Sequence, residues 1–304
     1  MGRKSAWSKA SMFCVTCRNG GNMKKLLAVA MAVIMAAALA GCGGDGEKKT
    51  TAKVIEIWLT NEEYAFGVDK TQPELLESVN EFIEEIKATG TFDEICNRYF
   101  GDGTPTAVTS AVYDESKDQL VVATNAEFEP FEYMEGDKYY GIDMEIAAQL
   151  AAYLGKELVI QNMDFDEVCP AVGQQKCDIA MAGLTVREDR MEYVSFSAPY
   201  YVAAQKLIVT SEDMEFDACL EAASVEAILK EKGSSVKVGV QTGTTGQFYA
   251  EGDEDWGFEG LGVEVVGYKT ASLAIQDMLD GNIDYVIIDS APAEYITEEI
   301  NKKQ

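Results

Sequence analysis

The chain has no histidine among its 304 residues. That removes the commonest general base and metal ligand at neutral pH. Basic residues are scarce as well: 25 Lys and Arg stand against 52 Asp and Glu, for a net charge of −27. Six of the basic residues, and no acidic ones, lie before Cys42, so the rest of the chain carries 19 basic against 52 acidic residues. Such a chain repels nucleic acid and anionic lipid headgroups, and its plain meaning is a soluble acidic surface. We find no internal repeat. The hydrophobic fraction of 47% is enough to fill one large core or two medium ones.

The one long apolar run sits near the start. Residues 24–42 read KKLLAVAMAVIMAAALAGC: a basic head, an apolar stretch, then small residues. This is a secretory signal pattern, and the run is near the lower length for a membrane span. Leu39-Ala40-Gly41-Cys42 resembles the bacterial lipobox, which implies cleavage before Cys42 and lipidation of that cysteine. We therefore read 23–41 as a lipoprotein signal peptide and 42–52 as a flexible tether. Met23 is a natural start, so 1–22 read as upstream sequence, not translated or removed with the signal. They hold Cys14 and Cys17, but one CxxC without a second pair is weak evidence for zinc. Cys96, Cys169, Cys177 and Cys219 remain. Cys169 is expected at a helix start and Cys177 beyond that helix, too far apart to pair.

Strand and helix signals then alternate, which points to α/β architecture. Strands are expected at 54–57, 64–68, 119–124, 158–161, 178–182, 205–209, 236–240, 263–266 and 284–288. Thr71 with Glu74 forms a capping-box pattern before a helix striped by Leu75, Leu76, Val79, Phe82, Ile83 and Ile86. A second helix is expected over 92–99. Residues 101–116, rich in Gly, Thr and Ser, read as a linker. Asp143 is placed to cap the next helix.

The segment DIAMAGLTVREDRMEYVSFSAPYY (178–201) is the most informative. A strand ends at Ala182, Gly183 lets backbone approach a ligand, Thr185 offers a hydroxyl, and Arg190 offers a planar fork suited to a carboxylate. In an acidic protein a lone Arg is equally a surface ion pair. Phe128 and Phe131 flank Pro130 just after a strand, as an aromatic wall or a core pair, and Phe165 has the same two readings. Residues 241–246 (QTGTTG) follow a strand and open a helix whose amides favour an anion; no P-loop Lys is present. Asp289 ends a strand, where open α/β sheets bind ligands, and could equally cap the helix after it. Arg190 and Thr185 suit a carboxylate, Asp289 an ammonium, and the aromatics a carbon skeleton: together, an α-amino acid.

In their order from 121 to 293, the segments VVATNAEFEPFEY, GIDMEIAAQLA, MDFDEVCPAV, KCDIAMAGLTVREDRMEYVSFSAPYY, VGVQTGTTG and IDYVIIDSAPA resemble the solute-binding proteins, family 3, of bacterial ABC importers. The resemblance implies a two-lobed, hinged α/β clamp of the type II periplasmic-binding-protein kind. It implies that Arg190 and Thr185, helped by Thr244 and Thr245, hold the α-carboxylate and that Asp289 holds the ammonium. Phe128 and Phe165 would pack on the side chain, and Ala182 and Gly183 would offer backbone groups. It further implies an ABC permease partner, a free L-amino acid ligand, no cofactor, no nucleic acid, membrane attachment by lipid only, and a monomer outside the cytoplasm.

One departure is the order. TNEEYAFGVDKTQPELLESVNEFIEEIKATGTFDEICNRYFG, which resembles the family's usual ending, sits in front, at 60–101. The chain reads as circularly permuted, with lobe 1 at 60–204 and lobe 2 at 53–59 plus 205–304. A linker at 101–118 joins the family's usual ends; 18 residues reach up to roughly 60 Å. The alternative is a truncated neighbour fused in front. A second departure is that Asn125, Gln241 and Ile288, positions often charged in the family, are uncharged here, which favours a neutral polar or apolar amino acid. Two other functions stay in view: a dehydratase-like enzyme on the same scaffold, and a ligand-sensing module. The lack of histidine weighs against the first, and the lack of a later membrane span or signalling domain against the second.

Overall fold

In a computed structural model, residues 50–304 are described. The upstream segment 1–22, the signal at 23–41, Cys42 and most of the tether lie outside them. Residues 50–304 belong to one compact unit. Its chain order begins β1 (Ala52–Val54), β2 (Glu62–Tyr64), β3 (Gly67–Asp69), α1 (Pro73–Ala88), α2 (Thr91–Phe100) and β4 (Gln119–Thr124). A short meander follows, β5 (Glu127–Phe128), β6 (Glu132–Glu135) and β7 (Lys138–Tyr140), then α3 (Ile142–Leu154), β8 (Glu157–Asn162) and α4 (Phe165–Gly173). Next come β9 (Ile179–Ala180), β10 (Val194–Phe196), β11 (Tyr201–Ala203), β12 (Gln205–Thr210) and α5 (Ala222–Lys232). The chain closes with β13 (Lys237–Gln241), α6 (Thr245–Glu251), β14 (Glu264–Tyr268), α7 (Ala271–Leu279), β15 (Tyr285–Asp289) and α8 (Ser290–Lys303).

Two five-stranded sheets organise these elements. One has the order β10-β3-β9-β4-β8 and the other β1-β12-β15-β13-β14; we call the bodies built on them lobes 1 and 2. Each has a parallel centre, β9-β4-β8 in lobe 1 and β15-β13-β14 in lobe 2, with antiparallel strands at one side. The parallel strands lie between helices and are accordingly almost continuous apolar runs, such as YVIID in β15 and QLVVAT in β4. β2 and β11 pair antiparallel, Tyr64 with Tyr201 and Ala203 with Glu62, where the chain passes between the lobes.

The segment before the linker is woven into both bodies. β1 pairs with β12, and its end is tied to α8 by a reciprocal amide pair: Ala52 N–H donates to Asn301 Oδ1, and Asn301 Nδ2 to the Ala52 carbonyl. β3 lies between β10 and β9. Helix α1 buries Val79, Phe82, Ile83 and Ile86 in the core, the stripe that its spacing marks. The linker does not swing free: Val108 is buried and exchanges backbone hydrogen bonds with Tyr139, and Ala111 N–H donates to Leu158.

Local differences from expectation have physical causes. Pro73 takes the first turn of α1, where its missing N–H costs nothing, so Gln72 is the N-cap, and the Thr71 hydroxyl bonds Asp69 instead. Asp143 lies inside α3, not at its cap. The cap is Gly141 at φ 122°, where a Cβ would stand 2.1 Å from the Phe131 carbonyl oxygen. Cys169 sits in the middle of α4 and not at its start; Cys96, Cys169, Cys177 and Cys219 are all free thiols. Among the described residues no helix is long and apolar enough to cross a membrane, and no three His, Cys, Asp or Glu groups gather to hold a metal.

Candidate functional site

Strand C-terminal ends set up the site. Asn125 follows β4, Ala182 and Gly183 follow β9, Gln241 ends β13 and Asp289 ends β15. The two lobes meet along this line. Arg190 is buried in a 3-10 turn of lobe 1, with Nη1 donating to the Thr185 carbonyl at 2.8 Å and Nη2 reaching the Gly243 carbonyl of lobe 2 at 3.1 Å. Its guanidinium carbon is 5.1 Å from the centre of the half-buried Phe165 ring. Burial pulls its pKa down, the neighbouring Arg187 charge adds to this, and the Asp189 and Asp289 charges partly offset it. Asn125 and Gln241 make a second bridge, Gln241 Nε2 donating to Asn125 Oδ1 at 3.0 Å.

Asp289 is buried and does not use its side chain as a helix cap. It accepts the Tyr64 hydroxyl at 2.6 Å. Burial, and then the charge of Glu62, push its carboxyl up to about 7. Thr244 is the N-cap of α6; its hydroxyl donates to the Gln241 carbonyl at 2.8 Å, while the buried Thr245 hydroxyl has no partner. Phe128 is buried at 6.2 Å from Phe131. Its ring edge lies against Gly183, where a Cβ would meet it at 2.9 Å with φ at +54°.

Two expectations are corrected here. The Gly183 N–H is not open to a ligand, because it donates to Asp143 Oδ2 at 2.9 Å. Ile288 does not line the cleft; it is fully buried in the apolar core, pointing away from Asp289 by the two-residue alternation of a strand.

The sequence reading missed Glu62. It is buried on β2 and accepts the Thr185 hydroxyl at 2.7 Å and Gln205 Nε2 at 3.0 Å. Tyr64, Gln205 and Glu62 thus surround Asp289 and Thr185. The alternation of Glu62 and Tyr64 about the exposed Glu63 was the available signal. Beside Arg190 lies a cavity of about 280 Å³, bordered by Phe165, Cys169, Asp189, Tyr193, Gly243 and Phe248.

Comparison with known proteins agrees with this geometry. Residues 120–255 match the bacterial extracellular solute-binding proteins, family 3. The chain belongs to this family. Among curated family relatives, the arginine-binding extracellular protein ArtP of Bacillus subtilis is 32% identical over 186 residues, 60% of this chain and 65% of that one. A probable histidine-binding protein of Neisseria gonorrhoeae is 28% identical over 174 residues, 56% of this chain and 58% of that one. The matched part thus spans under two thirds of these relatives' length. Among solved structures, holo ArgBP from T. maritima is similar with TM-score 0.50 and 30% identity, covering 61% of this chain and 75% of that one. The ancestral amino-acid-binding protein AncCDT-1, a precursor of cyclohexadienyl dehydratase, has TM-score 0.52 and 27% identity over 69% and 78%. This family 3 chain has the type II periplasmic-binding-protein fold.

Proposed function

We propose that this family 3 protein is the receptor of an amino-acid importer. It captures an α-amino acid in the cleft and hands it to an ABC-type permease, unchanged. It does so outside the cytoplasm, as a monomer held to the membrane by lipid on Cys42. The observation that carries the reading is the pair Arg190 and Asp289: one buried guanidinium from lobe 1, whose pKa the Asp289 charge raises, and one buried carboxylate from lobe 2. A zwitterion would neutralise both. Its carboxylate would replace the Gly243 carbonyl at Arg190, assisted by Thr185, Thr244 and Thr245, and its ammonium would take the place of the Tyr64 hydroxyl at Asp289. Phe128 and Phe165 would flank the side chain. Asn125 and Gln241 are the polar groups facing it, which favours a neutral or polar side chain. Glu62 does not change that preference, because it sits at the ammonium end and is already supplied with donors. Contacts from both lobes would make the closed state the one that ligand selects.

The same reading includes circular permutation. Support comes from β1 and β3 being integral strands of the two sheets, and from the family match starting at 120, just after the linker. Moving 53–101 behind 304 and deleting the linker should give a chain that folds and binds the same ligand; failure of that chain to fold would remove the permutation.

A thermal-shift screen of residues 43–304 against the L-amino acids tests the function. At 100 times its dissociation constant, a ligand adds about 2.7 kcal/mol. The expected result is a rise with one or a few neutral or polar amino acids, none in Arg190→Ala, and NMR spectra of the ligand that stay unchanged. A rise with arginine or histidine alone would overturn the side-chain preference, and a flat screen would overturn the receptor reading.

A further inference from the structure

A second arginine, three residues before Arg190, joins the lobes without lining the amino-acid site. Arg187 belongs to the loop after β9 in lobe 1 and is only 3% exposed. Its Nε donates to Asp189 Oδ1 of the same loop at 2.9 Å, and its Nη2 to Asp253 Oδ2 of lobe 2 at 3.2 Å. Its guanidinium carbon lies 3.9 Å from the centre of the Phe248 ring and 5.0 Å from that of Trp256, both in lobe 2.

Lobe 2 builds this socket from its own residues. Asp253 and Phe258 exchange backbone hydrogen bonds, which closes the turn after α6. Asp253 Oδ1 accepts the N–H groups of Asp255 and Trp256 at 3.0 and 3.1 Å, which presents the indole and leaves Oδ2 for the arginine. Trp256 in turn packs on Phe258 at 5.4 Å, and Phe258 on Tyr249 at 5.2 Å. Lobe 1 supplies only the plug. The plug and the carboxylate clamp share one rigid turn, since Met191 N–H donates to the Arg187 carbonyl and Tyr193 N–H to that of Arg190.

We propose that Arg187 is a latch: it enters the Phe248–Asp253–Trp256 socket when the lobes close, holds them closed, and so sets the dissociation rate of the ligand without choosing its identity. The effect on ligand rests on the receptor reading above; the effect on closure does not. A planar guanidinium suits the socket because it stacks on an aromatic face while bonding at its edges, which an ammonium cannot do. Desolvated cation–π contacts of this kind are strong, and opening must break them together with the Asp253 pair.

The test uses Arg187→Ala, Arg187→Lys and Asp253→Asn, with stopped-flow and calorimetry on the ligand found in the screen. Arg187→Ala should raise the dissociation rate and Kd by roughly tenfold or more, with the order of ligand preference unchanged. Arg187→Lys should fall between it and the parent. Arg187→Ala and Asp253→Asn should be non-additive, which a general loss of stability would not produce. Small-angle scattering of the ligand-free chain reads closure directly: Arg187→Ala should enlarge the particle at an unchanged far-ultraviolet spectrum. If no ligand is found, that expansion still supports the latch while the receptor reading falls. Unchanged scattering of ligand-free Arg187→Ala, or an unchanged dissociation rate where a ligand exists, would overturn it.

Discussion

Acidification from pH 8 to pH 5 should weaken amino-acid binding by about 100-fold, and the cause should be a proton on Asp289. Burial first, and the Glu62 charge second, push this carboxyl up to about 7. The groups around it are Glu62 and Tyr64 from β2 and Gln205 from β12. An ammonium needs the anion. Two pH units below a pKa of about 7, only about one molecule in 100 presents it, which costs about 2.7 kcal/mol at 1.36 kcal/mol per unit. The assay is calorimetry at several pH values in two buffers of different ionisation enthalpy. Below pH 7 binding should release close to one proton, and above pH 8 almost none. A Kd that is constant between pH 5 and 8, with heats that do not depend on buffer, would refute the placement of the ammonium at Asp289.

The ligand-free protein should show the opposite trend. Asp143 and Asp289 are each pushed up to about 7, so their contribution to stability is complete at low pH and is lost as pH rises through about 7; Glu132, raised by burial, acts in the same direction. Melting temperature should therefore fall from pH 5 to pH 8, and less steeply in Asp143→Asn; a slope unchanged in that variant would exclude Asp143 as a source. Gly183→Ala, with φ at +54° and a new Cβ 2.9 Å from the Phe128 ring, should weaken ligand binding and lower stability, read by calorimetry and urea unfolding. Ile287→Ala, in the fully buried centre of β15, should cost about 2–5 kcal/mol by denaturant unfolding.

From the sequence alone, the parts that depend on local spacing were readable. The apolar stripe of α1, the near-continuous strands β4 and β15, and the linker's lack of period follow from side-chain geometry within a few residues. Arg190, Thr185 and Asp289 were legible as candidates because their chemistry matches a zwitterion and because strand ends are where ligands sit. What the side chains bond to was not legible. Asp143 is spaced as a helix cap yet serves the Gly183 amide and the Tyr200 hydroxyl 40 and 57 residues away. Glu62 was passed over because its partners, Thr185 and Gln205, lie 123 and 143 residues along the chain. Arg187 reads as one more charge in a polar turn until folding brings Phe248, Asp253 and Trp256 around it. Periodicity and capping are properties of neighbours in sequence, so the chain declares them. Which carboxylate is caged, and which cation is plugged, depends on how two sheets bring together residues far apart in the chain, and only the tertiary structure decides it.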